Sequence, residues 1–176
     1  MSTMPRTLYT AEQIRARVVE LATSLATRFP ADDTPHFVAV LNGGFMFLAD
    51  LVRAMTRPVT IDFVRMTSYG SATTTSGSPR IVHGPGTDLR DRHVVIVEDI
   101  VDTGLTLQAL RRHLLAARPG SLSTVVLLDK PGRRRVTVPV DLVGFRIPDE
   151  FVVGYGLDCD EAHRNLPYLG VVAPPS

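Results

Sequence analysis

The 176-residue sequence contains one cysteine, Cys159, no tryptophan and no long run of apolar residues. A single thiol excludes an internal disulfide and is typical of reducing compartments, so we expect a cytoplasmic protein. No apolar run approaches the roughly 18 residues that a membrane span needs, and the N-terminal residues lack the charged-then-apolar pattern of a signal peptide. The sequence therefore predicts a globular domain with no membrane partner.

The chain also lacks an excess of charge of one sign, and it has almost no lysine. Its formal net charge is +1, which gives no electrostatic reason to expect nucleic acid as a partner. Lys130 is the only lysine among 19 basic residues. Arginine and lysine are not interchangeable at tight sites, so Lys130 is a candidate functional residue, with chance survival as the alternative. Arg133, Arg134 and Arg135 predict a solvated basic loop, or alternatively a patch facing phosphate or RNA.

Stretches with the apolar spacing of helices alternate along the chain with short apolar runs typical of strands. A capping box at Thr10 and Gln13 opens a helix whose apolar stripe continues to Leu25. Further helices are predicted at residues 45–55 and from about 105 to 117. Strands are predicted at residues 37–41, 59–66, 94–97, 124–128, 142–145 and 151–155. Strands alternating with helices indicate an α/β domain with a parallel sheet and right-handed crossovers.

Residues 67–88 differ in composition from the rest of the chain. They are rich in Ser, Thr, Gly and Pro and show no core pattern. A loop of this length inside a compact domain is uncommon and often functional, although a hairpin with unresolved strands fits equally well.

The most informative segment is residues 94–107, which read VVIVEDIVDTGLTL. The apolar run predicts a strand buried on both faces of a parallel sheet, and Glu98 and Asp99 follow where this strand is expected to end. Asp102, Thr103 and Gly104 then precede a helix, whose free N–H groups and dipole attract anions. An anion site beside two carboxylates indicates a phosphate-containing ligand held with a cation or with ligand hydroxyls. The alternative is that Asp102 is only an N-cap and that the acids are solvated.

The VEDIVDTG block resembles the signature of the type I phosphoribosyltransferases, which bind 5-phosphoribosyl 1-diphosphate (PRPP), and is most similar to their hypoxanthine-guanine branch. The resemblance covers about residues 9–170. It implies an α/β fold with a parallel twisted sheet flanked by helices, a small hood and a flexible active-site loop. We expect one domain over residues 1–176, with its core at about 30–150 and its hood at about 1–20 and 145–176.

The resemblance also implies which residues contact PRPP. Glu98 and Asp99 match the acidic pair that faces the ribose hydroxyls and Mg²⁺, a cation that prefers oxygen ligands. The turn after residues 37–41 matches one that holds diphosphate through backbone N–H groups, often with a cis bond, here expected between Leu41 and Asn42. Some relatives carry lysine at this Asn. The implied PRPP-binding set is Leu41, Asn42, Gly43, Glu98, Asp99, Asp102, Thr103, Gly104, Leu105, Thr106 and Arg164, and the implied metal ligands are Glu98, Asp99 and Asp158.

The purine contacts follow from two further segments that resemble the family. Asp102 matches the proposed general base near N7 of the purine. Lys130 matches the lysine that donates to the exocyclic O6, which favours 6-oxopurines over adenine. The segment FVVGYGLD places Phe151 on the purine face, Val152 at the base edge and Asp158 nearby. Ser68 and Tyr69 match the flexible loop that closes over bound substrates and excludes water.

Taken together, the resemblance implies Mg²⁺-dependent transfer of the 5-phosphoribosyl group from PRPP to hypoxanthine or guanine, giving IMP or GMP and diphosphate. Two alternatives stay open: a nucleotide-sensing regulator of the same fold that binds RNA, and an enzyme for another base. A phosphoacceptor domain of the flavodoxin-like type is a more distant alternative, since it lacks a DTGxT loop. The family forms dimers and tetramers, so we expect a homo-oligomer, with the apolar helix at residues 45–55 as a candidate contact.

Overall fold

A six-stranded, mostly parallel sheet forms the centre of the molecule. The computed structural model describes residues 4–67 and 79–173. The order of the strands across this sheet is β4-β3-β2-β5-β6-β7, with β4 antiparallel to β3 and all other neighbours parallel. The strands are β2 (His36–Leu41), β3 (Thr60–Thr67), β4 (Arg80–His83), β5 (His93–Val101), β6 (Ser121–Asp129) and β7 (Leu142–Arg146).

Three helices flank the sheet: α1 (Ala11–Ala26), α2 (Phe45–Ala54) and α3 (Leu105–Ala116). The predicted capping box is present, because Gln13 N–H donates to Thr10 Oγ1 and Thr10 N–H donates to Gln13 Oε1. It satisfies backbone donors that the first turn of α1 leaves free.

The core lies in two layers, one on each face of the sheet. Alternate residues along each strand point to opposite faces, which divides the apolar side chains of the sheet into two sets. Phe37, Val95 and Val97 pack with α1 and α2. Val38 and Ile96 pack with α3 on the other face. The central strands are therefore apolar on both sides, as expected for a parallel sheet covered by helices.

A second, three-stranded antiparallel sheet joins the two ends of the chain. Its order is β1-β9-β8, from β1 (Arg6–Tyr9), β9 (Leu169–Val172) and β8 (Phe151–Val153). The rings of Tyr9 and Phe145 stack with centroids 4.0 Å apart, which holds β1 against β7 of the large sheet. The sequence did not predict β1 or β9, because each has four residues and pairs with a distant segment.

One strand prediction requires correction, and one of the two interpretations of residues 67–88 is confirmed. β5 continues to Val101, so Glu98 and Asp99 lie within the strand and not beyond its end. The polar segment at residues 67–88 contains β4, which pairs with β3 as a hairpin, so one of the two interpretations of that segment is confirmed. Ser68 and Tyr69 lie outside the described residues. Within the part of the chain that the structure describes, no helix is both long and apolar enough to span a membrane.

Candidate active site

The carboxyl end of β5 and the first turn of α3 enclose a cavity of about 260 Å³. Its lining comes from one stretch of the chain, from the acidic pair in the strand to the first turn of the helix, although the predicted residue Leu105 does not line it. In open α/β sheets, ligands bind beyond the carboxyl ends of the strands, so the position of this cavity matches the predicted one. The lining residues are Glu98, Asp99, Ile100, Val101, Asp102, Thr103, Gly104, Thr106 and Leu107.

Glu98 and Asp99 are two buried carboxylates placed side by side. Glu98 is only 5% exposed, and within the described residues its Oε2 has no hydrogen-bond partner. Burial and the neighbouring charge of Asp99 raise the pKa of Glu98, and burial also raises the pKa of Asp99. Asp99 Oδ1 accepts the N–H of Ile100 at 2.8 Å, which fixes its orientation. A buried carboxylate oxygen without a partner is costly, so this pair is suited to a ligand that supplies donors or positive charge.

The loop between the acids and α3 has the features of an anion site. Gly104, the N-cap of α3, has φ +85°, a left-handed conformation that glycine adopts without strain. A Cβ built at this position would lie 3.2 Å from Val136, so there is also little space for a side chain. Gly104 has no side chain that could cap the helix, and Thr103 Oγ1 accepts the N–H of Leu105 at 3.4 Å. Thr103 and Thr106 line the cavity, so their hydroxyls and the other N–H groups of the first turn are candidate donors to an anion.

The turn after β2 approaches the acidic pair from the neighbouring strand. The peptide bond between Leu41 and Asn42 is cis, as predicted. A Cβ built on Gly43 would overlap Asp99 Oδ2, so the main chain of this turn lies directly against the carboxylate. The approach is possible only because Gly43 has no side chain. The structure thus brings the predicted diphosphate turn and the predicted ribose acids together.

A third segment, residues 154–164, closes on the same turn. A Cβ built on Gly156 would collide with the carbonyl oxygen of Gly43, so these two backbones are also in close contact. Arg164 Nη1 donates to Gly156 O at 2.9 Å, and Arg164 Nη2 pairs with Asp158 Oδ1 at 2.8 Å. The positive charge of Arg164 partly opposes the rise in the pKa of Asp99. Arg164 is therefore electrostatically linked to the acidic pair, although 65 residues separate them in sequence.

Tyr155 is a structural residue of this site that the sequence did not single out. Three consecutive residues from Gly154 to Gly156 have positive φ, so the predicted strand at 151–155 ends at Val153 and the chain turns. The hydroxyl of Tyr155 donates to Asp50 Oδ2 of α2 at 2.6 Å, and the pKa of Tyr155 is raised strongly by burial and by this bond. This hydrogen bond fastens the turn to α2. The sequence signal that could have identified Tyr155 is its position, as a polar aromatic residue, between two glycines.

Lys130 lies directly after β6, at the same edge of the sheet. Its N–H donates to Val101 O at 3.0 Å, which joins the end of β6 to the end of β5. The residue is only 8% exposed, and its Nζ lies 3.6 Å from Asp149 Oδ1. Lys130 is therefore not an ordinary exposed lysine at the end of a strand. Phe151 and Val152 begin β8 shortly after Asp149, with Phe151 half-buried and Val152 buried.

The basic segment at residues 133–135 is exposed at Arg133 and Arg135, as the sequence predicted, but two of its three arginines also bind acids. Arg133 Nε donates to Asp102 Oδ1 at 3.0 Å, and Arg134 Nη1 donates to Asp102 O at 2.7 Å. Arg134 Nη2 also pairs with Asp129 Oδ1. The hydrogen bonds to Asp102 raise the pKa of Arg133. No local pattern announces these contacts, because the partners of Asp102 lie 31 and 32 residues away.

The described part of the chain contains no group of three or more His, Cys, Asp and Glu side chains arranged to hold a metal ion. Asp158 therefore does not form a three-carboxylate cage with Glu98 and Asp99; it pairs with Arg164 and accepts the N–H of Glu161 at 2.9 Å. Residues 41–43, 98–106 and Lys130 lie at the carboxyl ends of the neighbouring parallel strands β2, β5 and β6, and therefore at one edge of the large sheet.

Comparison with known proteins agrees with this geometry. Residues 7–160 match the phosphoribosyl transferase domain family. The hypoxanthine phosphoribosyltransferase of Haemophilus influenzae is 46% identical over 167 residues, which cover 94% of this chain and 93% of that protein. The chain therefore belongs to the phosphoribosyltransferase family, and within it to the hypoxanthine-guanine phosphoribosyltransferases.

Solved structures support the same assignment. The crystal structure of a hypoxanthine-guanine phosphoribosyltransferase from Bacillus anthracis superposes with a TM-score of 0.91 at 42% identity, covering 97% of this chain and all of that chain. The hypoxanthine phosphoribosyltransferase of Trypanosoma cruzi, in complex with the product IMP, gives a TM-score of 0.89 at 41% identity and covers 99% of this chain and 97% of that chain. The predicted α/β fold is thus confirmed.

Proposed function

We propose that this protein transfers the 5-phosphoribosyl group of PRPP to hypoxanthine or guanine, giving IMP or GMP and releasing diphosphate, as a step of purine salvage. The observation that carries the proposal is the juxtaposition of the cavity at Glu98–Leu107 with the Gly43 turn and with Lys130. An anion site, two acids and one buried cationic donor match the three parts of the reactants: phosphate, ribose and 6-oxopurine.

The first turn of α3 binds the 5′-phosphate in this proposal. Backbone N–H groups from Thr103 to Thr106 and the two threonine hydroxyls donate to its oxygens, and the helix dipole favours the negative charge. Glu98 and Asp99 accept hydrogen bonds from the ribose hydroxyls. These contacts would provide a donor to Glu98 Oε2, which has no hydrogen-bond partner within the described part of the chain.

The acidic pair also fits a magnesium ion. Mg²⁺ is commonly held by one or two carboxylates together with substrate phosphates and waters, so two adjacent acids with an unpartnered buried oxygen suffice on the protein side. When bound, Mg²⁺ would neutralise negative charge on the diphosphate as it leaves. Glu98 and Asp99 are the residues that would hold it, with Asp158 near a second ion.

The leaving diphosphate is assigned to the Gly43 turn and Arg164. Backbone N–H groups of the turn point to a main-chain mode of binding, in which the identity of residue 42 has little effect. Arg164 is oriented by Gly156 O and Asp158, and a guanidinium fork suits phosphate oxygens. Charge that develops on the diphosphate in the transition state is thus met by donors already in place.

The purine is assigned to Lys130, Asp102, Phe151 and Val152. The ammonium of Lys130 donates to the exocyclic O6 and Phe151 stacks on the ring. The 6-amino group of adenine cannot accept a hydrogen bond from Lys130. Bound adenine would therefore leave the nearly buried ammonium without a ligand contact, and the site should reject adenine. Asp102 accepts the purine proton near N7 as N9 forms the new bond to C1 of the ribose.

Initial rates with PRPP and Mg²⁺, measured separately for hypoxanthine, guanine, xanthine and adenine, test this proposal. We expect turnover of 6-oxopurines and none of adenine. Asp102→Asn should lower kcat by about 10²- to 10⁴-fold, and Lys130→Ala should lower kcat/KM by about ten- to hundredfold. Asp91→Asn, an exposed acid before β5 at the opposite end of the strand, is the matched control. Binding of nucleotide without turnover of any base would instead favour the regulator.

The remaining partners follow from the same assignment. We propose a homodimer or homotetramer that acts in the cytoplasm, consistent with its single thiol. The exposed side of α2 is the candidate subunit contact, which sedimentation analysis tests directly. An RNA-binding role receives no support from the basic segment, because Arg133 and Arg134 are paired with acids.

A further inference from the structure

Arg133 lies between two carboxylates at the purine end of the site. Its Nε donates to Asp102 Oδ1 at 3.0 Å, and its Nη1 donates to Asp149 Oδ2 at 3.3 Å. The other oxygen of Asp149 lies 3.6 Å from Lys130 Nζ. Four alternating charges, Asp102, Arg133, Asp149 and Lys130, therefore form an unbroken bridge, which we call the purine bridge.

We propose that Arg133 is a positioning residue that sets Asp102 and Lys130 at a fixed separation, so that one purine meets both groups at once. The inference rests on the proposed function, which assigns the two ends of the purine bridge to N7 and O6. N7 and O6 are neighbouring atoms on one edge of the purine, so two separate protein groups can reach both only when their spacing matches the ring. The purine bridge provides that spacing through side chains from three separate segments, which follow β5, β6 and β7.

The orientation of Asp102 is divided between consecutive arginines. Arg134 Nη1 holds the main-chain carbonyl of Asp102, and Arg133 Nε holds the carboxylate through Oδ1. Within the described residues, Asp102 Oδ2 accepts no hydrogen bond, which leaves it for the purine. Arg133 thus selects which oxygen faces the base while leaving the backbone of the loop unchanged.

The buried charge of Lys130 depends on Asp149, its neighbour in the purine bridge. Its side chain is only 10% exposed, and a cation withdrawn from water is costly without a partner. Asp149 is its only ion-pair partner in the part of the chain that the structure describes. Asp149 is itself largely exposed, and Arg133 is what holds it in place. Loss of Arg133 should therefore disturb both purine contacts, directly at Asp102 and through Asp149 at Lys130.

A lysine at position 133 would not replace this arginine. The guanidinium is planar and presents Nε and Nη1 at a fixed angle, so one group reaches two carboxylates at once. A lysine ammonium is a point donor on a flexible stem. It would keep the charge but not the geometry, which makes Arg133→Lys a direct test of positioning.

Screening by solvent limits how much the loss of Arg133 can change KM. The side chains of Arg133, Asp102 and Asp149 are 47%, 39% and 58% exposed, so each ion pair is screened and contributes modestly. We expect Arg133→Gln to raise KM for hypoxanthine by about three- to tenfold, with KM for PRPP changed by less than about twofold. Arg133→Lys should recover less than half of this loss.

Arg135→Gln is the matched control, because it removes the same charge two residues further along. The side chain of Arg135 is exposed and, among the described residues, takes part in no ion pair. Its KM values should match those of the wild-type protein. Asp149→Asn should reproduce the defect of Arg133→Gln, and the double variant should be no worse than the more impaired single variant.

The outcomes separate the inference from the proposed function. Wild-type turnover of hypoxanthine with indistinguishable KM values for Arg133→Gln and Arg135→Gln would overturn the purine bridge and leave the function intact. An equal rise of both KM values, or full recovery in Arg133→Lys, would show a general charge or folding effect and also overturn it. A wild-type protein inactive on every 6-oxopurine would overturn the function, and the inference with it.

Discussion

Replacement of Gly43 by alanine is the sharpest test of how the site is built. A Cβ at this position would overlap Asp99 Oδ2, so either the carboxylate or the turn must move. Asp99 is buried and its Oδ1 already accepts the N–H of Ile100 at 2.8 Å, so a shift of the carboxylate into the cavity would sacrifice this hydrogen bond. Insertion of one methyl group into such packing typically costs about 1–3 kcal/mol of folding free energy.

The loss of activity should exceed the loss of stability. The methyl group separates the turn assigned to diphosphate from the acid assigned to ribose, which are the two groups flanking the bond that breaks. A displacement of about 1 Å between reacting partners can reduce the rate by about 10²-fold. We therefore expect Gly43→Ala to lower kcat/KM for PRPP by about 10²-fold, measured by initial rates with hypoxanthine. The midpoint of urea unfolding, measured by circular dichroism, should also be lower than that of the wild-type protein.

Gly86→Ala is the control for this substitution. A Cβ at Gly86 would meet no atom within 4 Å, and its φ does not lie in the left-handed region, so both activity and stability should be retained. A Gly43→Ala protein with wild-type activity and an unchanged unfolding midpoint would refute the close approach of the turn and the acid. Reduced stability with unchanged activity would refute the assignment of the turn to diphosphate.

Three further substitutions probe other parts of the structure. Tyr155→Phe removes the 2.6 Å hydrogen bond to Asp50 and should lower stability by about 1–3 kcal/mol in urea unfolding, with a higher KM for PRPP. Burial lowers the pKa of His36 below its ordinary value of 6.5, so the unfolded chain binds the proton more tightly and stability falls as the pH drops below about 6.5. His36→Gln should flatten that loss between about pH 7 and pH 5. Leu127→Ala opens a cavity at a fully buried position of β6 and should cost about 2–5 kcal/mol.

Each of these has its own control. Tyr155→Phe is compared with Asp50→Asn, which keeps an acceptor for the hydroxyl, and equal stability of Tyr155→Phe and wild type would contradict the anchoring role. His113→Gln replaces an exposed histidine, and the two histidine variants should differ in their pH dependence. Leu115→Ala on the exposed side of α3 should change stability by less than about 0.5 kcal/mol, unlike Leu127→Ala.

The central sheet and its chemistry could be predicted from local pattern because each depends on neighbours in sequence. The apolar run before Glu98 marks a strand covered on both faces, and the small residues after it mark a turn into a helix. The predicted end of this strand was too early, because its last residues contribute to the candidate active site. Glu98 and Asp99 interrupt the apolar pattern because they face the cavity, yet their backbones continue to pair with β6.

The contacts of the basic segment could not be predicted in the same way. Arg133 meets Asp102 only because β6 lies beside β5, so the pairing is a property of the assembled sheet and not of either segment. The same reasoning applies to the small sheet, whose strands β1 and β9 come from opposite ends of the chain. Hydrophobic periodicity reports burial along one element, whereas these contacts depend on which elements become neighbours.

The stacking of Gly156 on Gly43, and of Gly43 on Asp99, has a consequence for how this protein can diverge. Two glycine backbones and one acid side chain form a column without room for another atom, so neither glycine can acquire a side chain unless its neighbour retreats at the same time. The side chain of Asn42, one position earlier, is exposed and meets no such limit. A saturation library across this turn should therefore tolerate most residues at position 42 and almost none at position 43, two adjacent sites with opposite evolutionary freedom.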